Sequence, residues 1–262
     1  EIPAGGPYRI DTSLETKSTV PDLTWLYRGD CVLHLGVGNL FIIAGQSNSA
    51  GYSRDFCIDP PSMDVHLYRN RNKWDIASHP MNESTFAGSL ANEEMGVPGV
   101  SPYLAFGKTY GKMTGMPVGL IQTSLGGSPM ERWNPKDGDL YLNMLDKIHQ
   151  TGGKYAGVLW YQGCSDTNPG PAEKYLEHFR EYVEATRKEL GYEIPFFTMQ
   201  LNRQINGIND ECWGMVRDAQ ARAAKEIPGV SVLTTSNLSL CDGIHNTAPV
   251  SYTHLTLPTN SR

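Results

Sequence analysis

The sequence lacks what several large classes of protein require. No apolar run approaches the roughly 20 residues of a membrane-spanning helix; "LFIIAG" at 40–45 has the length of a strand. Basic excess is missing too, since 22 Lys and Arg stand against 28 Asp and Glu for a net charge of −6. A nucleic-acid ligand is therefore not expected, because phosphate-backbone binders carry a basic face. Cysteine is sparse: Cys31, Cys57, Cys164, Cys212 and Cys241 form no C-x-x-C pair and no zinc-type spacing, so no metal site is expected. An odd number cannot all pair internally, although one disulfide stays open. The phosphate-binding G-x4-G-K-[ST] and the metalloprotease H-E-x-x-H are absent. Gly36 and Gly38 make a G-x-G, but a strand follows it and no third glycine arrives, which excludes the dinucleotide fingerprint.

What is present is a regular alternation. Six β-rich runs, "LFIIAG" (40–45), "DVHLYRN" (64–70), "PVGLIQTS" (117–124), "YAGVLWYQG" (155–163), "PFFTMQL" (195–201) and "VSVLTTS" (230–236), are separated by helical patterns. Several runs are apolar on both faces, as parallel strands covered by helices are. In "PAEKYLEHFREYVEATRKELG", Tyr175, Leu176, Phe179, Tyr182, Val183 and Leu190 share one helical face, with Pro171 at the start and Gly191 at the stop. Tyr141, Met144, Leu145 and Ile148 repeat that logic, Ser101 and Pro102 open a third helix, and a further one is expected over about 210–226. The pattern predicts an α/β protein, a three-layer α/β/α sandwich with a central, mostly parallel sheet whose ligands lie beyond the carboxyl ends of the strands. Residues 34–250 form this domain. Residues 1–33, rich in Thr, Ser, Gly and Pro with short β-like pieces, read as a β-rich remnant or linker of an accessory domain. Residues 251–262 have no element pattern and resemble a translated sequencing-adapter tail on a metagenomic gene fragment, so they are set aside as non-native.

In "FIIAGQSNSAGY" the strand hands over to small polar residues at its carboxyl end. Ser47, flanked by Gly45, Ser49, Ala50 and Gly51, sits in a turn like the G-x-S-x-G elbow, although Ser49 replaces the last glycine. A nucleophilic serine and a plain helix cap both fit this stretch. A serine needs a base and the base an orienting acid. "CDGIHN" offers Asp242 and His245, three residues apart across an Asp-Gly turn, whereas the other histidines lie on strands or helices or lack a partner. The glycines of "SLGGSPMERW", Gly126 and Gly127, and the amide of Gln162 in "LWYQGCSD" end two further strands and complete an expected oxyanion hole with the Ser47 N–H. Arg132 and Trp133, a hydrogen-bond donor and an aromatic face in the same stretch, are candidates for a substrate wall, although a buried tryptophan that anchors the loop fits equally.

Taken together, "AGQSNSAGY", "SLGGSPMERW", "LWYQGCSD" and "DGIH" resemble the blocks of the SGNH hydrolase superfamily, in particular its sialate O-acetylesterase-like and acetylxylan-esterase-like carbohydrate esterases, over about residues 34–247. The resemblance implies that Ser47 is the nucleophile, His245 the general base and acid, and Asp242 the residue that sets the histidine tautomer. It implies a substrate that is an acetylated carbohydrate, no cofactor or metal, and a secreted or periplasmic setting. Gln162 stands where many superfamily members have asparagine, and Cys164 stands where relatives carry a glutamate. An esterase for simple short-chain esters and a catalytically impaired carbohydrate-binding homologue are the alternatives. Neither a membrane nor a nucleic-acid partner is expected, and oligomeric state is open.

Overall fold

Ile42, Ile43 and Ala44 have no solvent exposure, so the run that opens the chain's polar turn is a strand covered on both faces. The structure, a computed structural model, describes residues 1–17, 24–83, 86–96, 99–205 and 207–248; the expected tail at 251–262 lies outside them. In chain order the strands are β1 (Gly5–Lys17), β2 (Thr24–Val37), β3 (Asn39–Gly45), β4 (Val65–Tyr68), β5 (Trp74–Ile76), β6 (Val118–Gln122), β7 (Tyr155–Tyr161), β8 (Phe196–Met199) and β9 (Val230–Leu233). The helices are α1 (Ser47–Ala50), α2 (Tyr103–Thr114), α3 (Asp139–Thr151), α4 (Pro171–Leu190) and α5 (Asp210–Glu226).

Strands β3 to β9 form one sheet in the order β5-β4-β6-β3-β7-β8-β9, parallel except for β5, which pairs antiparallel with β4. All six runs expected from the sequence are strands of this sheet. Ala44 lies beside Trp160 in register, so Phe41, three residues earlier, points to the other face. There it meets Phe106 and Tyr110 of α2 edge-on, each at 5.0 Å. Across the sheet, Trp160 packs on Phe179 and Tyr182 of α4, and Tyr182 in turn touches Tyr141 of α3. Helices thus cover both faces. On α4 rests α5, through Gln220 to the Tyr175 hydroxyl and Arg180 to Glu226.

β1 and β2 make a separate antiparallel ribbon that runs into β3 through Gly38. β2 runs through residue 33, where the sequence reading sets its boundary, and on to Val37, and His66 of β4 bonds the carbonyl of His34. The placement of β3 between β6 and β7 decides the rest, because it gathers the three strand ends that carry Ser47, the two glycines and Gln162 along one edge of the sheet.

Candidate active site

The turn after β3 is forced by close approach. Gly45 has φ +125°, and a Cβ there would lie 2.3 Å from the carbonyl oxygen of Tyr161, so only glycine lets β3 end tight against β7. Gln46 then donates its N–H to that carbonyl at 2.9 Å and caps the single turn of α1, with Gly51 closing it in a left-handed conformation. Ser47 is thereby the first residue of α1. The Gln46 side chain accepts from the N–H groups of Gly163 and Ser165 at 2.9 and 3.3 Å, tying the loop after β7 to the same turn.

Ser47 Oγ lies 2.9 Å from His245 Nε2, and His245 Nδ1 lies 2.6 Å from Asp242 Oδ2. A carboxylate only accepts, so Nδ1 donates to Asp242 and Nε2 keeps its lone pair toward the serine hydroxyl. Residues 198 apart in the chain are brought to hydrogen-bond distance. Asp242 Oδ1 also accepts the N–H groups of Ile244 and His245 at 2.9 and 2.8 Å. Burial raises its carboxyl, but the bond from the imidazole and those two N–H groups outweigh it and hold Asp242 below the usual carboxylate value. Asn48 fastens this loop to α1: its Nδ2 donates to the Ile244 carbonyl at 3.2 Å and its Oδ1 accepts from Asn246 N–H at 3.0 Å. Asn246 is held further by the Tyr161 hydroxyl at 2.8 Å and by Asn202 at 2.7 Å.

The remaining expectations need correction. Gln162 is fully buried, and its amide hydrogens are bonded to the Ser128 carbonyl, at 3.0 Å, and to Asp166. It has none left for a substrate oxygen. Gly126 gives its N–H to Glu94 at 3.0 Å. Ser47 N–H and Gly127 N–H, the latter in a turn with φ +68°, have no acceptor among the described residues. Trp133 is 0% exposed, stacks edge-on with Trp160 and donates to Ser128 at 3.3 Å, so it anchors the loop from within the core and offers no face to a sugar. Arg132 is spent on Asp139 and on the Ala91 carbonyl. Cys164, at the departure from the superfamily pattern, has its thiol pushed up to about 12 by burial, which keeps it protonated. Asp166 accepts Gln162 and the Met130 N–H there, and burial raises its carboxyl.

Two residues that the sequence reading passed over enter the site. The Tyr52 ring stacks on the His245 imidazole, 5.3 Å between centroids at 27°, and its hydroxyl donates to Glu94 at 2.5 Å. Glu94 stands in "ANEEMGVPG", which reads as polar loop, and nothing local marks it.

The family described as "Carbohydrate esterase, sialic acid-specific acetylesterase" matches residues 37–256. An Arabidopsis thaliana protein with the curated name "Probable carbohydrate esterase At4g34215" is 25% identical over 173 residues, 58% of this chain and 64% of that protein, so the chain spans less than two thirds of that relative's length. The solved structure of the Arabidopsis thaliana protein superposes with a TM-score of 0.71 at 22% identity, covering 84% of this chain and 94% of that one. A carbohydrate acetylesterase of Xanthomonas citri superposes with a TM-score of 0.68 at 22% identity, over 97% of this chain and 60% of the other. At that identity the two structures speak for the fold.

Proposed function

Because the chain belongs to the carbohydrate esterase family described as sialic acid-specific acetylesterases, we propose that it is a serine hydrolase that removes O-acetyl groups from a carbohydrate. The observation that carries the reading is the unbroken line of hydrogen bonds from Ser47 Oγ through His245 to Asp242. In the proposed reaction Ser47 Oγ attacks the ester carbonyl carbon while His245 Nε2 takes the hydroxyl proton. Asp242 keeps the imidazole in the required tautomer and stabilises the imidazolium. The tetrahedral oxyanion is held by the N–H groups of Ser47 and Gly127. His245 returns the proton to the departing sugar oxygen, the C–O bond breaks, and the acetyl group stays on Ser47. A water then gives a proton to His245 and attacks the acetyl carbon; acetate leaves and Ser47 regains its proton.

Acetate release from p-nitrophenyl acetate, acetylated xylan and O-acetylated sialic acid, measured for this chain and for Ser47→Ala, tests the reading. Turnover should fall by as much as about 10⁶-fold in the variant, and the sugar that is turned over names the substrate. Full turnover by Ser47→Ala would overturn the mechanism.

A further inference from the structure

Glu94 is 3% exposed and accepts from four donors: the Tyr52 hydroxyl at 2.5 Å and Gly96 N–H at 3.3 Å on Oε1, Asn82 Nδ2 at 2.7 Å and Gly126 N–H at 3.0 Å on Oε2. Four donors and no acceptor are the surroundings of an ionised carboxylate. No Lys, Arg or His nitrogen among the described residues lies within salt-bridge distance of it. A buried charge without a counter-ion is costly and is kept where something uses it. Two of its partners lead to the reacting groups. Tyr52 lies flat on His245, and Gly126 begins the turn that carries the Gly127 N–H. The fit is close enough that a Cβ on Gly126 would stand 2.5 Å from the Tyr52 hydroxyl and 3.0 Å from Glu94 Oε1.

We propose that Glu94 is a positioning residue for the reaction, which through the Tyr52 hydroxyl fixes the ring against His245 and through Gly126 N–H fixes the glycine turn. The inference rests on the esterase reading above. The groups that face His245 are Ser47 on α1, Asp242 on its own loop and Tyr52 on the loop after α1, with Glu94 behind Tyr52 and Arg54 in electrostatic reach of the Tyr52 hydroxyl.

Glu94→Gln tests this sharply, because whichever way its amide turns, the NH2 meets a group that is itself a donor. Tyr52→Phe keeps the ring and removes only the hydroxyl, and so serves where Glu94→Gln does not fold. In wild type and both variants kcat and KM for p-nitrophenyl acetate and the thermal midpoint are measured beside the Ser47→Ala control. In Glu94→Gln kcat should fall by on the order of 10²-fold at nearly unchanged KM. In Tyr52→Phe the fall should be of the same kind and smaller. An unchanged kcat in a folded Glu94→Gln overturns the proposal. Turnover by Ser47→Ala equal to that of wild type overturns the esterase reading instead.

Discussion

With both amide hydrogens bonded inside the protein, Gln162 contributes to folding through the link it makes between the Ser128 carbonyl and the carboxylate of Asp166. Gln162→Ala should therefore lower the unfolding free energy by about 1–3 kcal/mol, the cost of leaving buried partners unpaired. Urea denaturation measures that loss, and kcat should change far less than stability. A rate loss of about 10²–10³-fold at undiminished stability would instead return Gln162 to the oxyanion hole. Trp133 follows the same logic, since residue type suggested a sugar wall and full burial against Trp160 and Tyr182 makes it core. Asp242 is held below the ordinary carboxylate range, so it stays ionised as pH falls toward that range and keeps its bond to the imidazole.

Between elements, the clamp from Asn48 to Ile244 and Asn246 joins α1 to the loop that carries His245. Asn48→Ala leaves the sheet untouched, unpairs the buried Asn246 N–H and frees that loop, so kcat should fall by on the order of 10²-fold and the unfolding free energy by about 1–3 kcal/mol. A loss of stability at unchanged kcat would make Asn48 an ordinary structural amide. The elements themselves were readable where burial was two-sided: β3, β6 and β7 are continuous apolar runs because helices cover both faces. β5 escaped notice, being three residues at a solvated edge. The β1–β2 ribbon showed only as short β-like pieces, since Leu14, Tyr27, Val32 and Leu33 are exposed and no buried face imposes alternation. Ser47, Asp242 and His245 were legible because each belongs to a short local pattern. Tyr52 and Glu94, 42 residues apart, meet only through the segments that follow α1 and β5, and no spacing rule reports that. Gln162 and Trp133 sat at the right strand ends, but the side of the sheet that a strand-end side chain joins is settled by packing.

At the scale of the molecule, one amine is buried at a cost. Lys147 is 1% exposed on α3 and donates to the carbonyls of Gln122, at 2.9 Å, and Arg69, at 3.4 Å. Burial pulls its ammonium down from 10.5 to about 7, against a weaker pull upward from Glu83. Between those values the unfolded chain holds a proton that the folded chain has lost, so this group makes stability rise with pH from about 7 to 10.5, and its penalty is largest below that window. Lys147→Met should thus be relatively most favourable at the acid end, and the difference in unfolding free energy from wild type should shift against the variant as pH rises to 10. A difference that stays constant would show that Lys147 folds with its charge. The 198 residues between Ser47 and His245 carry a consequence for how the chain comes to life. Contacts this distant in sequence form late, after loop closure has been offset by the sheet. The sheet is complete at β9, before residues 241–246 lie down on α1. On the proposed function, the bond between Ser47 and His245 is then the last feature the folding chain acquires, and the return of turnover should keep time for that step.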